Sequence, residues 1–373
     1  MCILIGGDIC PMGRIQDAFI KGDASEIFHD LLQEISDADI SIANLECPLV
    51  TKETPIVKAG PVLGSSVDCV KGFLAASWNV LNLANNHSYD HDASGLRETL
   101  DAIKSAGLST VGAGMNIYEA QTPVIRQVNG KRIAIFAMAE GEFSVADHNT
   151  PGANPLDLIN FISAVRRHKQ QGIFIVLIHG GMEYYPYPSP EMIRRCRFMV
   201  EMGADAVICC HAHCPQPWEI YDGRPIIYGL GNLVFETPEK MPDAWYEGYL
   251  AKLTIEGDGL RFEPIPYVQS KKQPGVFRMN DPARRRFLDE MQAKSIRIQD
   301  RAFVELQWGQ YCSDQKIPYL TALFGYNRIM RKLRKSFFRL LHSKKDILRA
   351  LHLVRCETHQ EVLNEIFNQE KRS

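Results

Sequence analysis

Short, nearly continuous apolar runs recur along the chain, each closing on a polar or glycine-containing turn. CILIGGD, DISIANLE, VLNLANN, STVGAG, RIAIFAMA, IFIVLIHG, AVICCHAH and PIIYGLGN are too short for buried helices, which predicts strands. Between them, DASGLRETLDAIKSAGL repeats apolar residues at helical spacing, with Leu96, Leu100 and Ile103 on one face and Gly107 ending the run. PEMIRRCRFMVEMGAD does the same through Ile193, Cys196 and Val200. Strands alternating with helices predict an α/β core from Met1 to about Tyr267. At its end, YLAKLTIEGDGLRFEPIPY reads as an antiparallel hairpin turning at Gly257 to Gly259.

Beyond about Ser270 the strand pattern stops. KKQPG supplies a linker-like break, and a Lys/Arg-rich, mostly helical pattern continues to the C-terminus. The chain thus divides into an α/β part, residues 1–268, and a helical extension, residues 269–373. The net charge of −2 conceals an asymmetry: residues 326–373 carry 12 Lys+Arg against 5 Asp+Glu, and the remainder 30 against 39. In NRIMRKLRKSFFRLLHSKKDILRALHLVR, Ile329, Leu333, Phe337, Leu340, Leu341, Ile347, Leu348 and Leu351 form an apolar stripe on a basic helix. Such a helix, residues 326–355, can lie on an anionic membrane surface, each basic side chain contributing about 1 kcal/mol, or dock on a synthase complex. It can equally pack on the α/β body with its basic face in water. No aromatic platform accompanies the charge, so nucleic acid is not an expected partner.

With 373 residues and 45% hydrophobic content, the chain can bury a large core and is expected to form about two domains. Its opening, MCILIGGD, has none of the regions of a signal peptide, and no apolar run approaches the roughly 20 residues of a spanning helix. Ten scattered cysteines fit a reduced, cytoplasmic protein, peripheral at the inner face of the membrane if the basic helix engages lipid.

The chemistry-bearing residues sit where the strands end, the edge at which open α/β sheets hold their ligands. Asp8 follows CILIGG, Glu46 ends DISIANLE, Asn86 and His87 end VLNLANN, and His179 follows IFIVLI, with Gly180 and Gly181 permitting close backbone approach. His211 and His213 follow AVICC; at i, i+2 spacing on a strand they would point the same way, toward one ion. Cys210, His211, His213 and Cys214 are also legitimate zinc ligands, although four ligands within five residues do not readily wrap one tetrahedron. Asp90, three residues after His87, is placed to hydrogen-bond that imidazole and hold it protonated near neutrality, ready to serve a leaving oxygen or a phosphate. A polar turn capping the helix from Ser94 would account for the same residues. Glu183 could orient a metal-bound histidine or touch substrate. One Asp, one Glu, one Asn and three His suit Mn, Fe or Zn better than Ca²⁺. Two such ions would activate water against a phosphoester. The histidines at 29, 91, 148, 168, 342, 352 and 359 read as surface or packing residues.

ANNHSYD followed by GLRETLDAIKSAG and VGAG, then HGGMEYYPYPSP, then GADAVICCHAHCPQPWEIYDGRPIIYGLGNLVF resemble the CapA family, the poly-gamma-glutamate capsule biosynthesis proteins. That family is similar to calcineurin-type metallophosphatases, and the resemblance spans about Ile3 to Phe235. It implies a layered α/β/β/α sandwich and a role in making or exporting an anionic surface polymer. It further implies Asp8 and His213 on a first metal, Glu46 bridging, Asn86, His179 and His211 on a second, and His87 beside the phosphoryl group. Cys10 stands where the phosphatases usually have a histidine, Asp92 replaces a usual glycine, and Arg14 lies one residue beyond the arginine of the first motif. Cys10 and Arg14 are therefore candidate contacts to a metal, its ligands or the substrate. A hydrolase of phosphoester or related bonds, a peptide-bond hydrolase or ligase acting on a glutamyl polymer, and a non-catalytic scaffold subunit all fit these residues.

Overall fold

In a computed structural model, residues 1–169, 172–237, 239–257, 259–324 and 344–372 are described. Two sheets lie back to back. The first runs Val276–Arg278, Gly259–Gln269, Glu247–Glu256, Cys2–Cys10, Ile40–Leu45, Val80–Asn82, Ser109–Val111, and Asn232–Phe235 also pairs with Cys2–Cys10. The second runs Trp218–Tyr221, Arg224–Ile227, Ala206–Cys210, Gly172–His179, Lys131–Ala139, Val124–Val128. Each has a parallel centre, Cys2–Cys10 through Ser109–Val111 in one and Lys131–Ala139, Gly172–His179 and Ala206–Cys210 in the other.

The period-2 pattern decides the layers. Ile3 and Ile5 face the second sheet, where they meet Ile133, Ile135, Ile175 and Ile208, while Leu4 faces outward with Phe19, Phe28 and Phe73 of the covering helices. On Lys131–Ala139, Phe136 and Met138 turn the other way, under helices Leu158–His168 and Pro190–Glu201. This is the layered α/β/β/α sandwich that the resemblance implies.

The hairpin expected around Gly257 pairs Glu256 with Gly259 and extends back to Glu247 and Val268. Helices Asp92–Ser105 and Pro190–Glu201 bury Leu96, Ile103, Ile193, Cys196 and Val200. Among the described residues one strand lies beyond Ser270: Val276–Arg278, three residues long and too short to show alternation, adds to the first sheet. Helices follow from Asp281–Arg297 onward. Residues 325–343, with much of the basic stripe, lie outside the described residues. In the helix Lys344–Arg355, Leu353 is buried and Ile347 exposed. No described helix is long and apolar enough to cross a membrane.

The GGD motif has a packing cause. A Cβ on Gly7 would fall on the Gly231 carbonyl oxygen, because the chain entering Asn232–Phe235 comes alongside the strand there to pair with it in parallel. Only glycine admits that approach, and it brings Asn232 level with Asp8.

Candidate metal centre

The parallel strands of both sheets deliver their C-terminal ends to one place, and there the polar residues collect. Asp8, Glu46, Asn86, His87, His179, His211 and His213 are all at most 6% exposed. His179 Nε2 lies 2.9 Å from Asn86 Oδ1, 3.0 Å from His211 Nδ1 and 3.4 Å from Glu46 Oε1, so four potential ligand atoms converge. Asp8 Oδ2 lies 3.6 Å from His213 Nδ1, and Glu46 Oε1 lies 3.7 Å from His213 Nε2. These make two overlapping groups, Glu46–His179–His211 and Asp8–Glu46–His213, with Glu46 common to both. Glu183 joins His211 and His213 in a third, more exposed group.

Glu46 shows what the site fits. It is fully buried, and neither carboxylate oxygen has a hydrogen-bond partner. Burial pushes its pKa up, partly offset by His213 and His87. A buried carboxylate without a donor is costly unless a cation supplies the missing partner. Imidazole nitrogens only 3.0 Å apart likewise suit two lone pairs directed at one cation. The donor set of carboxylates, amide oxygen and imidazoles fits divalent metal ions.

Surrounding groups orient these ligands. Asn44 Nδ2 donates to Asp8 Oδ1 at 2.7 Å and lies 3.2 Å from His179 Nδ1. Asn44 is itself fixed by Asn82 and Asn85. His213 Nδ1 lies 2.9 Å from Asn232 Oδ1, and its ring packs against Trp245 and Phe235. Burial opposes charge on His213, but Glu46, Glu183, Asp8 and Asn232 together raise its pKa to about 9. Burial and Glu46 raise Asp8 to about 6, and burial lowers His179 to about 4.

Two expectations need correction. His211 and His213 are not on the strand, which ends at Cys210; both lie in the following loop with positive φ, 101° and 52°. Backbone in that region costs roughly 1–3 kcal/mol per residue and is typical of functional sites. The strained loop, not strand alternation, aims both rings inward. For His87 the direction of the pKa shift is also the reverse of the one expected. Its Nδ1 is 2.6 Å from Asp90 Oδ2, but burial and Lys58 outweigh that carboxylate and lower its pKa.

Other candidates fall outside the cluster. Cys10 is buried beside Cys47, and burial and that thiol push its pKa well up. Arg14 pairs with Glu236 at 3.0 Å and donates to the Ser270 and Lys272 carbonyls. Cys214 Sγ donates to the Tyr185 carbonyl, and no cysteine joins the described ligand groups, which removes the compact zinc reading.

Sequence reasoning missed Lys58, which lies in an irregular stretch without periodicity. Its Nζ donates to Asp90 Oδ1 at 2.5 Å and to the Asn86 carbonyl at 3.3 Å. It also missed Glu142, 3.5 Å from His211 Nε2 and pushed up to about 8 by burial and Glu183. The available sign was the pair of acids after the strand RIAIFAMA, Glu140 directly at its end and Glu142 two residues on.

Two sheets back to back, with carboxylates, an amide and imidazoles gathered at their shared C-terminal edge, define a layered α/β protein with a candidate two-metal centre. The chain belongs to the family described as bacterial capsule synthesis protein PGA_cap, which matches residues 2–237. It is 34% identical over 239 residues to "PGA biosynthesis protein CapA" of Bacillus subtilis, covering 62% of each chain. It is 30% identical over 240 residues to "Capsule biosynthesis protein CapA" of Bacillus anthracis, covering 62% of this chain and 58% of that one. The chain thus spans about six tenths of the length of these curated relatives. Among solved structures, a hypothetical protein from Thermus thermophilus is 14% identical with a TM-score of 0.45, covering 72% of this chain and 100% of that one. A 5'-nucleotidase from Candida albicans is 9% identical with a TM-score of 0.42, covering 92% and 66%. These likenesses are too distant to add to the argument.

Proposed function

We propose that this chain is a divalent-metal-dependent hydrolase of a phosphoester or related bond, working in the synthesis of capsule, poly-gamma-glutamate or another anionic surface polymer. The observation that carries the reading is Glu46, buried in both ligand groups with neither oxygen hydrogen-bonded. In this reading Asp8, Glu46 and His213 hold one ion, and Glu46, Asn86, His179 and His211 the other. Bound there, Mn, Fe or Zn ions would polarise a phosphoryl oxygen and lower the pKa of water.

The chain's own residues do the rest. Asn44 holds Asp8 and His179 in place. Nδ1–H of His87 donates to Asp90 Oδ2 at 2.6 Å, which leaves the lone pair on Nε2, the ring nitrogen then available for proton transfer. With Nδ1 turned to Asp90 and its pKa lowered by burial and Lys58, Nε2 would serve as a proton acceptor or phosphoryl contact and act as an acid after taking up a proton. Substrate is an anionic polymer or phosphoester, and residues 326–355 are the segment proposed to touch a membrane or synthase complex.

The test is turnover of phosphomonoester, phosphodiester and γ-glutamyl substrates with and without added Mn²⁺ or Zn²⁺. Metal-dependent hydrolysis abolished by His211→Ala supports the assignment; intact turnover in that variant overturns it. The scaffold reading draws on Cys10, a buried thiol turned to Cys47 where a phosphatase would place a histidine. Full metal occupancy without turnover on any of the three substrate classes would favour it.

A further inference from the structure

The family match ends at residue 237, yet helices well beyond it reach the metal-ligand cluster. Arg301–Phe324, Lys344–Arg355 and Glu357–Arg372 pack on two loops bordering the site. The loop after Gly172–His179 is held where Met182 and Tyr185 bury with Trp308 and Leu353, and where Ser189 Oγ donates to Glu361 at 2.5 Å. The loop after Lys131–Ala139 is held more tightly. Glu140 accepts from Thr358 Oγ1 at 2.6 Å, and the Gly141 N–H donates to Glu357 at 2.6 Å.

Glu142, next along that loop, faces both ways. Toward the cluster, Oε1 lies 3.5 Å from His211 Nε2, and Oε2 accepts a long hydrogen bond, 3.5 Å, from Asn86 Nδ2. Toward the extension, Oε2 lies 3.7 Å from His352 Nδ1, and the His352 ring stacks on Phe143 at 5.3 Å with planes 9° apart. The Glu142 side chain is left 9% exposed.

These contacts have a direct consequence for the ligands. His211 presents Nδ1 to the cluster, and a Glu142 oxygen 3.5 Å from Nε2 favours the tautomer that carries its proton there and leaves Nδ1 with a lone pair. Asn86 can offer either Oδ1 or Nδ2 to the cluster, and an acceptor for Nδ2 decides for Oδ1. Excluding water from Glu142 strengthens both effects.

We infer that Glu142 is a positioning residue for His211 and Asn86, and that the C-terminal helices, with His352 as the covering ring, are a working wall of the metal site. The inference rests on the metal-site reading above. It makes the extension part of the centre, although the matched family region stops short of it.

The test is Co²⁺ titration of the full chain, read by the visible d–d bands of the bound ion, with circular dichroism to monitor the fold. Glu142→Ala is expected to weaken Co²⁺ binding about 10–100-fold and to alter the bands. The near-isosteric Glu142→Gln is expected to weaken binding in the same direction, and serves if the alanine variant does not fold. His352→Ala is expected to change the same bands by a smaller amount, and His352→Phe, which keeps a ring on Phe143, to restore them. Wild-type affinity and spectra in both Glu142 variants would overturn the inference while leaving the metal site standing. Absence of Co²⁺ binding in the wild type would overturn the site reading itself, and the inference with it.

Discussion

Replacing Glu46 by glutamine removes one negative charge from the point where the two ligand groups overlap while keeping the side chain's shape. In the metal-free protein both Glu46 oxygens are buried without a hydrogen-bond partner, and the nearest cationic group, His213, stands 3.7 Å away. At roughly 1–3 kcal/mol for each unsatisfied buried atom, that carboxylate costs the metal-free fold about 2–6 kcal/mol. Glu46→Gln is therefore expected to be as stable as the wild type in chelator, or more stable. Metal reverses the order. One ion at a hundred times its Kd adds about 2.7 kcal/mol, and two independent ions about 5 kcal/mol. At roughly 1.3 °C per kcal/mol for a chain of this size, the wild type should melt about 7 °C higher with metal. The variant, lacking the shared carboxylate, should lose most of that rise. Thermal denaturation in EDTA and in Mn²⁺ or Zn²⁺ reads both quantities. A variant well below the wild type in EDTA, or one with an undiminished metal-induced rise, would refute the reasoning.

Three further outcomes follow from other parts of the structure. Lys58→Met strips Asp90 of a buried ion-pair partner and should cost about 3–5 kcal/mol in urea unfolding; Asp90→Asn added to it should recover part, and a loss under about 1 kcal/mol would contradict the pairing. Burial lowers His352 to a pKa of about 4 and His359 to about 3. Because the unfolded chain takes up those protons below about pH 6.5, the stability they confer is present above that pH and lost as it falls toward 4; His359→Phe should flatten that acid limb of the urea midpoint, and an unchanged limb would rule the histidine out. Gly7→Ala drives a methyl group onto the Gly231 carbonyl and should cost at least roughly 1–3 kcal/mol, read by the melting temperature; wild-type melting would mean that the strands separate there without penalty.

The layers were legible because both sheets bury both faces, so each strand reads as an apolar run with a polar stop. Asp8, Glu46 and His179 were visible for the same reason, each standing beside such a stop. Lys58 was not, since nothing local in TPIVKAGP distinguishes a lysine whose partners lie about thirty residues on at Asn86, His87 and Asp90. His352 was read as surface or packing because its placement comes from long-range docking of a helix that periodicity describes only as amphipathic. The inward turn of His211 and His213 comes from two positive φ values, which no apolar pattern encodes. Asp90 suggested a protonated His87 because the sequence shows the carboxylate but not the burial or the lysine beside it.

The most direct test is metal content per chain by elemental analysis, after reconstitution with Mn²⁺ or Zn²⁺ and removal of excess, for the wild type and His211→Ala. Two equivalents in the wild type, falling to one or none in the variant, are expected if Glu46 is shared between two ions. A wild type that retains no metal would contradict the centre on which the account rests.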